Sequence, residues 1–498
     1  MKGHAVGVDL GTTGARAVRI DEAGRVVSSS TAAYPLLTPQ PGWTEQEPAA
    51  WWDAAVQTLR TVVAAHAAPI EAVGVTGQMH GAVFLDTNGD SIRPALLWND
   101  QRTVAAAQQI EAAVGRSQLQ RIAGNPALTG FQAPKIVWLR EHEPHHYARV
   151  RAVLLPKDFL RYRLSRTYGT DASDASGTLL FDLRLRDWSD QILRDLDLQR
   201  DWFPPVAESP AVTARVSDEA ARATGLRAGT PVVAGAGDNA AAAIGSGIVR
   251  RGEGLVSLGT SGVILVHDDE PHIDPSGAIH AFCAAVPGGY HSMGVMLSAG
   301  GSLRWLRDLL GHAGESYGDL TAGAQRVVPG SDGLTFLPYL AGERTPHMNP
   351  RARGAFVGLT LVHGRDHFVR AVLEGVAYGL NDALVRIREL GMNPPELIAT
   401  GNGMASSLWR EIIAAILGLP LRRLRVDEGP AFGAALLGAV GTGTFVSVEA
   451  AARATADLDR ESERPAPASI AAYGEGYQRF RRLYPALHDT AEPLLSLS

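Results

Sequence analysis

The 498-residue sequence lacks several features that mark common classes of protein. It has one cysteine, Cys283, so no disulfide can form within the chain, and a reducing compartment is expected. No apolar run approaches the ~20 residues that a membrane-spanning helix needs, and the apolar stretch at 5–10 is too short for a secretory signal. Basic residues are not in excess, since the net charge is −6. We therefore expect a cytoplasmic protein that binds neither nucleic acid nor a membrane.

Glycine and apolar residues are what the chain has in quantity. Apolar residues make up 45% of the sequence and charged residues 20%, which is enough for more than one packed core. The length corresponds to roughly two to four domains. Glycine accounts for 54 of the 498 residues, above the usual ~7%. This excess predicts many tight turns or close approaches of the backbone.

The chain opens with a strand, a glycine turn and a second strand. Residues 5–10 and 15–20 have strand patterns and Gly11-Thr12-Thr13-Gly14 has turn chemistry, which predicts a β-meander rather than a strand that leads into a helix. The pattern returns 248 residues later, where Leu258-Gly259-Thr260-Ser261-Gly262 repeats Leu10 to Gly14. A chance match in a glycine-rich chain is the alternative, but the β-pattern on both sides favours a true repeat.

Helix and strand patterns alternate along the rest of the chain, which indicates an α/β fold. The half-length repeat predicts two similar domains, 1–245 and 246–498, with a ligand cleft between them. We expect strands at 72–76 and 231–235, and helical segments at 47–67, 101–124, 133–142, 238–244, 366–390, 405–418, 429–441 and 470–484.

The first glycine turn has the composition of a phosphate site. Glycines let backbone N–H groups approach an anion closely, and the hydroxyls of Thr12 and Thr13 add donors. Asp9 would repel a phosphate unless a cation stood between them, and Mg²⁺ fits because one or two carboxylates usually hold it. An ordinary hairpin with a solvated Asp9 is the alternative, and the turn alone does not decide between them.

A second candidate is Asp238, in the segment Gly235-Ala236-Gly237-Asp238-Asn239-Ala240. The glycine spacing is that of a dinucleotide fingerprint, but Asp238 stands where a pyrophosphate needs N–H donors. The acidic residue expected about 20 positions later is also missing, since position 257 is serine. A carboxylate at a helix start beside glycines is better placed as a catalytic base, and a simple helix cap is the alternative.

Two segments that contain histidine invite a functional interpretation. Gln78, Met79 and His80 lie in a loop between Gly77 and Gly81, where they could contact a polyol, although a lone histidine in a turn is more often structural. The cluster at 142–146 suggests a metal, but a proline interrupts it and no cysteine or second cluster completes a zinc set. We therefore favour a solvated helix end for this cluster.

Taken together, these segments resemble the FGGY family of carbohydrate kinases over nearly the whole chain. The glycine turn is shared with all actin-like ATPases, whereas the segments at 77–81, 173–177 and 342–347 are more specific. Further matches lie at 41–46, 155–158, 171–178, 237–239 and 336–347, and family-wide signatures fall at 130–142 and 354–374.

The resemblance implies two α/β domains of the ribonuclease H-like (actin-like ATPase) type, with ATP and sugar in the cleft between them. It implies phosphorylation of D-xylulose to D-xylulose 5-phosphate, with another ketose or polyol, such as ribulose or glycerol, as the alternative acceptor. Because relatives are often dimers, it also allows a homodimer. Asp238 would be the general base and Asp9 would help to hold Mg²⁺. The residues assigned to the sugar are Gln78, Met79, His80, Asp238 and Asn239, and those assigned to ATP are Gly11, Thr12, Thr13, Gly259, Thr260, Gly300, Gly401, Asn402 and Ser406.

Three departures from the family pattern and two rival classes complete the expectations. Asn402 stands where relatives often have glycine, and Gln132 and Gln101 replace commoner residues near the expected sugar side. An actin-like interaction protein would need an added peptide-binding or polymerisation segment, for which the chain has no spare length. A nicotinamide oxidoreductase would rest on 235–240 alone. A sugar kinase is therefore the preferred reading.

Overall fold

The computed structural model describes residues 3–426 and 428–491. In the first half of the chain, strands and helices alternate much as the sequence predicts. The strands are β1 (His4–Leu10), β2 (Gly14–Ile20), β3 (Val26–Ala33), β4 (Glu45–Gln46), β5 (Ile70–Gly77), β6 (Val83–Leu85), β7 (Ala95–Leu96), β8 (Ala152–Leu154), β9 (Thr170–Asp171), β10 (Phe181–Asp182), β11 (Asp187–Trp188), β12 (Val206–Ala207), β13 (Val212–Arg215), β14 (Pro231–Val233) and β15 (Ala236–Gly237). The helices are α1 (Pro48–Ala64), α2 (Val104–Val114), α3 (Arg116–Ala123), α4 (Gln132–His142), α5 (Pro144–Tyr147), α6 (Pro156–Ser165), α7 (Ala172–Ala175), α8 (Asp190–Asp195), α9 (Asp218–Thr224) and α10 (Asp238–Gly245).

The second half has longer helices. Its strands are β16 (Gly254–Leu258), β17 (Gly262–Asp268), β18 (His280–Cys283), β19 (Tyr290–Met296), β20 (Thr335–Leu337), β21 (Ala355–Val357), β22 (Leu397–Thr400), β23 (Leu421–Leu424) and β24 (Leu458–Glu463). Its helices are α11 (Gly300–Leu309), α12 (Tyr317–Ala322), α13 (Arg365–Glu389), α14 (Ser407–Leu417), α15 (Gly429–Gly441), α16 (Val448–Thr455) and α17 (Pro467–Ala491). Short 3₁₀ helices lie at Ser176–Thr178, Arg200–Trp202, Ala324–Arg326, Ser331–Gly333 and Asn402–Ala405.

Each half is built on a seven-stranded sheet, and six strands of each sheet follow the same order and directions. The first has the order β13-β14-β5-β1-β2-β3, and β15 also pairs with β5. The second has the order β24-β23-β22-β16-β17-β19-β18. In both sheets the opening hairpin is antiparallel. The next two strands, β5 and β14 in the first sheet and β22 and β23 in the second, run parallel to the first strand of the hairpin. The edge strand beyond them, β13 or β24, is antiparallel again. The predicted β-meander is confirmed, and the sequence repeat corresponds to a repeat of the fold.

The two opening hairpins nevertheless pair in different registers. Leu10 pairs with Ala15 in the first hairpin, whereas Leu258 pairs with Gly262 in the second. The repeat would match Ala15 to position 263, so the second hairpin is one residue tighter. Its turn closes from the N–H of Gly259 to the carbonyl of Ser261 at 3.0 Å, while the first closes from Gly11 to Gly14 at 3.0 Å. Similar sequences therefore form turns of different shape.

Helix α15 comes from the second half of the chain but packs on the first sheet. A Cβ added at Gly7 would lie 1.9 Å from the carbonyl oxygen of Ala431, and one at Gly74 would lie 1.8 Å from that of Ala434. A Cβ added at Gly433 would likewise lie 1.9 Å from the carbonyl oxygen of Ala241 in α10. Part of the glycine excess thus allows backbone-to-backbone packing that joins the two halves. The domain boundary after residue 245 stays a prediction.

Several predicted elements differ from the structure in detail. The helical segment at 101–124 is two helices, because Gly115 has a φ of +89°, which an α-helix cannot accommodate. The segment at 405–418 begins with a 3₁₀ turn before α14, and the last helix is longer than expected and contains Pro485. In the described residues no three His, Cys, Asp or Glu side chains form a metal-binding group. None of the helices described there is long and apolar enough to span a membrane.

Candidate active site

The carboxyl ends of three neighbouring strands bring the first candidate residues together. Leu10 at the end of β1 is in register with Gly77 at the end of β5, which in turn pairs with Gly237 of β15. The backbone N–H of Gln78 donates to the carbonyl of Leu10 at 2.8 Å. The first glycine turn, the 77–81 loop and the start of α10 therefore leave the sheet side by side, at the edge where α/β folds place their ligands.

Asp238 is held in one orientation by the residue that follows it. Its Oδ1 accepts from the backbone N–H of Asn239 at 2.7 Å and from the Asn239 side-chain amide at 3.1 Å. The same amide contacts the sulfur of Met79 at 3.9 Å. Burial raises the pKa of Asp238 to about 6, although the hydrogen bonds from Asn239 act to lower it. The structure thus brings together three of the five residues predicted for the sugar.

His80 belongs to the same group, in a neutral form. Its Nδ1 lies 2.6 Å from the carbonyl oxygen of Gly177, and burial lowers its pKa to about 3. A carbonyl oxygen only accepts hydrogen bonds, so Nδ1 carries the proton and Nε2 is left as an acceptor. The ring is fixed edge-on against Phe131, with 4.9 Å between the ring centroids.

Asp9 carries an unsatisfied carboxylate oxygen beside this group. Its Oδ1 is buried and has no hydrogen-bond partner among the described residues. Burial and, after it, the negative charge of Asp238 raise the pKa of Asp9 to about 7, although Arg16 acts to lower it. A cation near Asp9 would relieve this repulsion. A single carboxylate suits Mg²⁺, which takes most of its other ligands from water and phosphate oxygens.

Side chains from distant parts of the chain hold the first turn in place. Gln46 donates from Nε2 to the carbonyl of Thr12 at 2.7 Å, and Trp98 donates from Nε1 to the Thr12 hydroxyl at 3.1 Å. The side-chain amide of Gln78 donates to Oε1 of Gln46 at 2.8 Å. Gln46 therefore connects the first glycine turn to the 77–81 loop, whereas Thr13 is exposed. From the sequence, the segment at 98–102 suits either a sugar contact or a loop anchored by Trp98, and Gln46 is only part of a family match, so the support that both give to Thr12 was not predicted.

The second glycine turn collects the residues predicted to lie further along ATP. Gly259 and Thr260 are exposed at the end of β16, and the N–H of Gly300 donates to the carbonyl of Gly259 at 2.9 Å. Gly401, with a φ of +85°, lies against Leu258, whose carbonyl oxygen would be 2.8 Å from an added Cβ. These four residues thus form one group at the carboxyl end of the second sheet.

The last two ATP candidates flank this group. Asn402 is exposed in the 3₁₀ turn that follows Gly401. The hydroxyl of Ser406 caps α14 by accepting from the N–H of Trp409 at 3.3 Å. Ser406 therefore has a structural task of its own in the described residues, and its predicted contact with ATP stays a prediction.

Two of the departures from the family pattern have a clear structural setting. Gln132 is buried and donates to the carbonyls of Gly81 at 2.9 Å and Leu154 at 3.2 Å. It thereby fixes the end of the 77–81 loop. Gln101 accepts from the hydroxyl of Thr129 at 3.0 Å and lies at the surface.

A set of buried polar residues lies beneath Asp238, in segments that the sequence identifies only as matches to the family. Lys157, Asp171, Ser173 and Asp174 are each fully buried. Ser173 accepts a hydrogen bond from the N–H of Gly237 at 3.2 Å. The charged residues of the matched segments 155–158 and 171–178 were the signal for this cluster.

Two family models match this chain. Residues 4–245 match the N-terminal domain of the FGGY family of carbohydrate kinases, and residues 254–442 match its C-terminal domain. The chain therefore belongs to the FGGY family of carbohydrate kinases, and its expected fold class is confirmed.

Individual relatives cover nearly the entire chain. A xylulose kinase of Escherichia coli is 40% identical over 97% of this chain and 99% of its own length. A xylulose kinase of Lactococcus lactis is 37% identical over 99% of both chains. A crystal structure described as a "xyloylose kinase" from Brucella ovis superposes with a TM-score of 0.92 at 38% identity, covering 98% of this chain and 99% of the other.

Proposed function

We propose that this sugar kinase transfers the γ-phosphoryl group of ATP to D-xylulose and releases D-xylulose 5-phosphate. The observation that carries the proposal is the meeting of Asp238, Asn239 and Met79 beside the first glycine turn. The similarity to xylulose kinases over nearly the whole chain supports the choice of acceptor. Another ketose or polyol, such as ribulose or glycerol, is the alternative acceptor.

Asp238 would act as the general base. A sugar hydroxyl is a poor nucleophile, so phosphoryl transfer depends on positioning and on removal of the proton as the new bond forms. Asn239 occupies Oδ1 of Asp238, which leaves Oδ2 to accept the proton. A pKa of about 6 keeps this carboxyl largely ionised at neutral pH and therefore able to act as a base.

The sugar would lie against the 77–81 loop and Asn239. The acceptor Nε2 of His80 can receive a hydrogen bond from a sugar hydroxyl, and the thioether of Met79 offers an apolar contact to the carbon skeleton. Gln78 lies next to them, and its buried Oε1 has no hydrogen-bond partner among the described residues. These groups can orient a polyhydroxy compound without adding charge.

Asp9 would hold Mg²⁺ through its unpaired oxygen, and the bound ion would neutralise negative charge on the phosphates of ATP. The backbone N–H groups and hydroxyls of Gly11, Thr12 and Thr13 would receive the transferred phosphoryl group. Gly259, Thr260, Gly300, Gly401, Asn402 and Ser406 would bind the rest of the nucleotide. The cleft between the domains, the homodimer and the cytoplasmic location stay predictions.

A coupled assay of ADP release over a panel of ketoses, polyols and aldonates tests the acceptor. We expect D-xylulose to have the highest kcat/KM. A clearly better substrate elsewhere in the panel would remove the proposed acceptor and leave the kinase class intact.

The variant Asp238→Asn tests the base. It should still bind D-xylulose but lose nearly all turnover, by roughly 10³-fold or more. Asp190→Asn is a matched control, because Asp190 is likewise the first residue of a helix but is exposed. Near-normal turnover of the Asp238 variant would overturn the assignment.

A further inference from the structure

A buried ionic cluster lies directly behind the segment that carries Asp238. The ammonium of Lys157 lies 3.0 Å from Oδ1 of Asp171 and 3.7 Å from Oδ2 of Asp174, and it also pairs with Asp158. All four side chains are at most 2% exposed. Burying charge is costly unless every group is paired. Burial raises the pKa of Asp174 well above its usual value, although the ammonium of Lys157 acts to lower it.

Asp171 connects this cluster to Ser173 by a hydrogen bond. Its Oδ2 accepts from the hydroxyl of Ser173 at 2.5 Å, and also from the hydroxyl of Ser209 at 2.8 Å. The same Oδ2 also accepts from the backbone N–H of Ser173 at 2.8 Å, and Oδ1 faces the ammonium of Lys157, so both oxygens of Asp171 act as acceptors. The hydroxyl proton of Ser173 must therefore point at Asp171, which leaves the oxygen of Ser173 as an acceptor.

That acceptor is used by the residue before the base. The backbone N–H of Gly237 donates to Oγ of Ser173 at 3.2 Å. Gly237 is enclosed on its other side as well: an added Cβ would lie 3.2 Å from the sulfur of Met79 and 3.4 Å from Oδ1 of Asp174. The peptide that leads into Asp238 is thus fixed by one directional hydrogen bond and by close packing around a glycine.

We propose that Lys157, Asp171 and Ser173 form a positioning chain that orients Asp238. The proposal rests on the proposed function, in which Asp238 is the general base. Lys157 keeps Asp171 an acceptor, Asp171 directs the hydroxyl of Ser173, and Ser173 anchors Gly237. These three residues touch neither sugar nor nucleotide in this scheme; they set the direction in which the base points.

The two serines that donate to Asp171 provide a matched test. Both are fully buried and both donate to the same carboxylate oxygen, but only the hydroxyl of Ser173 also accepts from Gly237. We expect Ser173→Ala to lower kcat by about tenfold or more, because small misplacements of a reacting group are costly. The KM values for D-xylulose and ATP should stay within about twofold. Ser209→Ala should lose a similar amount of thermal stability and keep a near-normal kcat.

Equal kcat in the two alanine variants would overturn the proposal, as would a raised KM with unchanged kcat for Ser173→Ala. Asp171→Asn is a second variant of nearly the same shape, whose amide can donate and so no longer directs the Ser173 hydroxyl. Its kcat should fall at least as far as that of Ser173→Ala, and a normal kcat would contradict the chain.

Asp238→Asn, measured in the same assay, distinguishes a failure of the proposed base from a failure of the positioning chain. If that variant is active, the proposed base is wrong. If it is inactive while Ser173→Ala is normal, only the positioning chain fails.

Discussion

The two glycine turns are nearly identical in sequence but differ in the charge beside them. The first follows Asp9 and is held by side chains from far along the chain, including Gln46 and Trp98. The second has Ser257 at the position that corresponds to Asp9 and is held by backbone groups, chiefly those of Ala299, Gly300 and Gly301. The two hairpins thus differ by one residue in register, and only the first has a carboxylate directly before its turn.

This difference suits different roles for the two turns in the proposed reaction. A carboxylate next to a phosphate is useful only where a cation lies between them, which is where charge develops during transfer. Backbone N–H groups and a hydroxyl are sufficient to hold phosphates that do not react. The first turn would therefore serve the chemistry and the second the binding of nucleotide. Three measurements test this comparison.

The largest effect is expected for Asp9→Asn. Without the carboxylate, Mg²⁺ would lose the ligand proposed for it and the developing charge would be less well neutralised, so kcat should fall by about 10²-fold or more. Steady-state kinetics with titrated Mg²⁺ should also show a weaker apparent affinity for the metal. Ser257→Ala, at the corresponding position of the second turn, is the matched control and should change kcat less than about twofold. Similar losses in both variants would contradict these different roles.

A smaller and different effect is expected for Gly300→Ala. The added Cβ would lie 2.5 Å from the carbonyl oxygen of Gly259, so the second turn must shift. We expect the KM for ATP to rise about tenfold, as for the loss of one hydrogen bond to a charged group, with the KM for D-xylulose unchanged. Gly314→Ala is the control, because an added Cβ there meets no atom within 4 Å. A fall in kcat at saturating ATP without a change in KM would assign the second turn to the chemistry instead.

The sequence allowed the turns and their repeat to be predicted, because both are local patterns of glycine and β-alternation. It did not reveal that Gln46 and Trp98 support Thr12, since these contacts join residues 34 and 86 positions apart. Likewise, an alanine-rich pattern concealed the break at Gly115, where the positive φ of one glycine ends a helix. Long-range contacts and single backbone angles leave no periodic signal.

The glycine excess illustrates how far composition can lead. Tight turns and close approaches were both predicted from it. The structure adds that Gly7, Gly74 and Gly433 lie where α15 of the second half meets the first half. The count alone could not assign glycines to either purpose, because the pairing of a helix with a distant strand is decided by the tertiary fold.

The smallest effect concerns Glu343, a carboxyl beneath the second turn. Its Oε1 accepts from the N–H groups of Leu297 at 2.9 Å and Arg344 at 2.8 Å, and Leu297 leads into the segment that holds Thr260. Burial raises the pKa of Glu343 to about 8 from its usual 4.5, so at neutral pH this group is largely protonated. Glu343 therefore adds little negative charge beneath the second turn, whereas Asp9, whose pKa is about 7, is partly ionised beside the first.

The pH dependence of stability should show whether Glu343 is protonated in the folded state. Between pH 4.5 and pH 8 the folded state keeps a proton on Glu343 that the unfolded chain releases, so its contribution to stability falls as the pH rises through this range. Glu343→Gln keeps the acceptor oxygen and cannot ionise. Its Tm should therefore fall less than that of the unmodified protein between pH 5 and pH 8, by a difference of roughly a few °C. Glu475→Gln, an exposed position on α17, is the control for loss of a carboxyl. Equal pH slopes for Glu343→Gln and the unmodified protein would mean that Glu343 is ionised in the fold, and the contrast between a charged first turn and a neutral second turn would then fail.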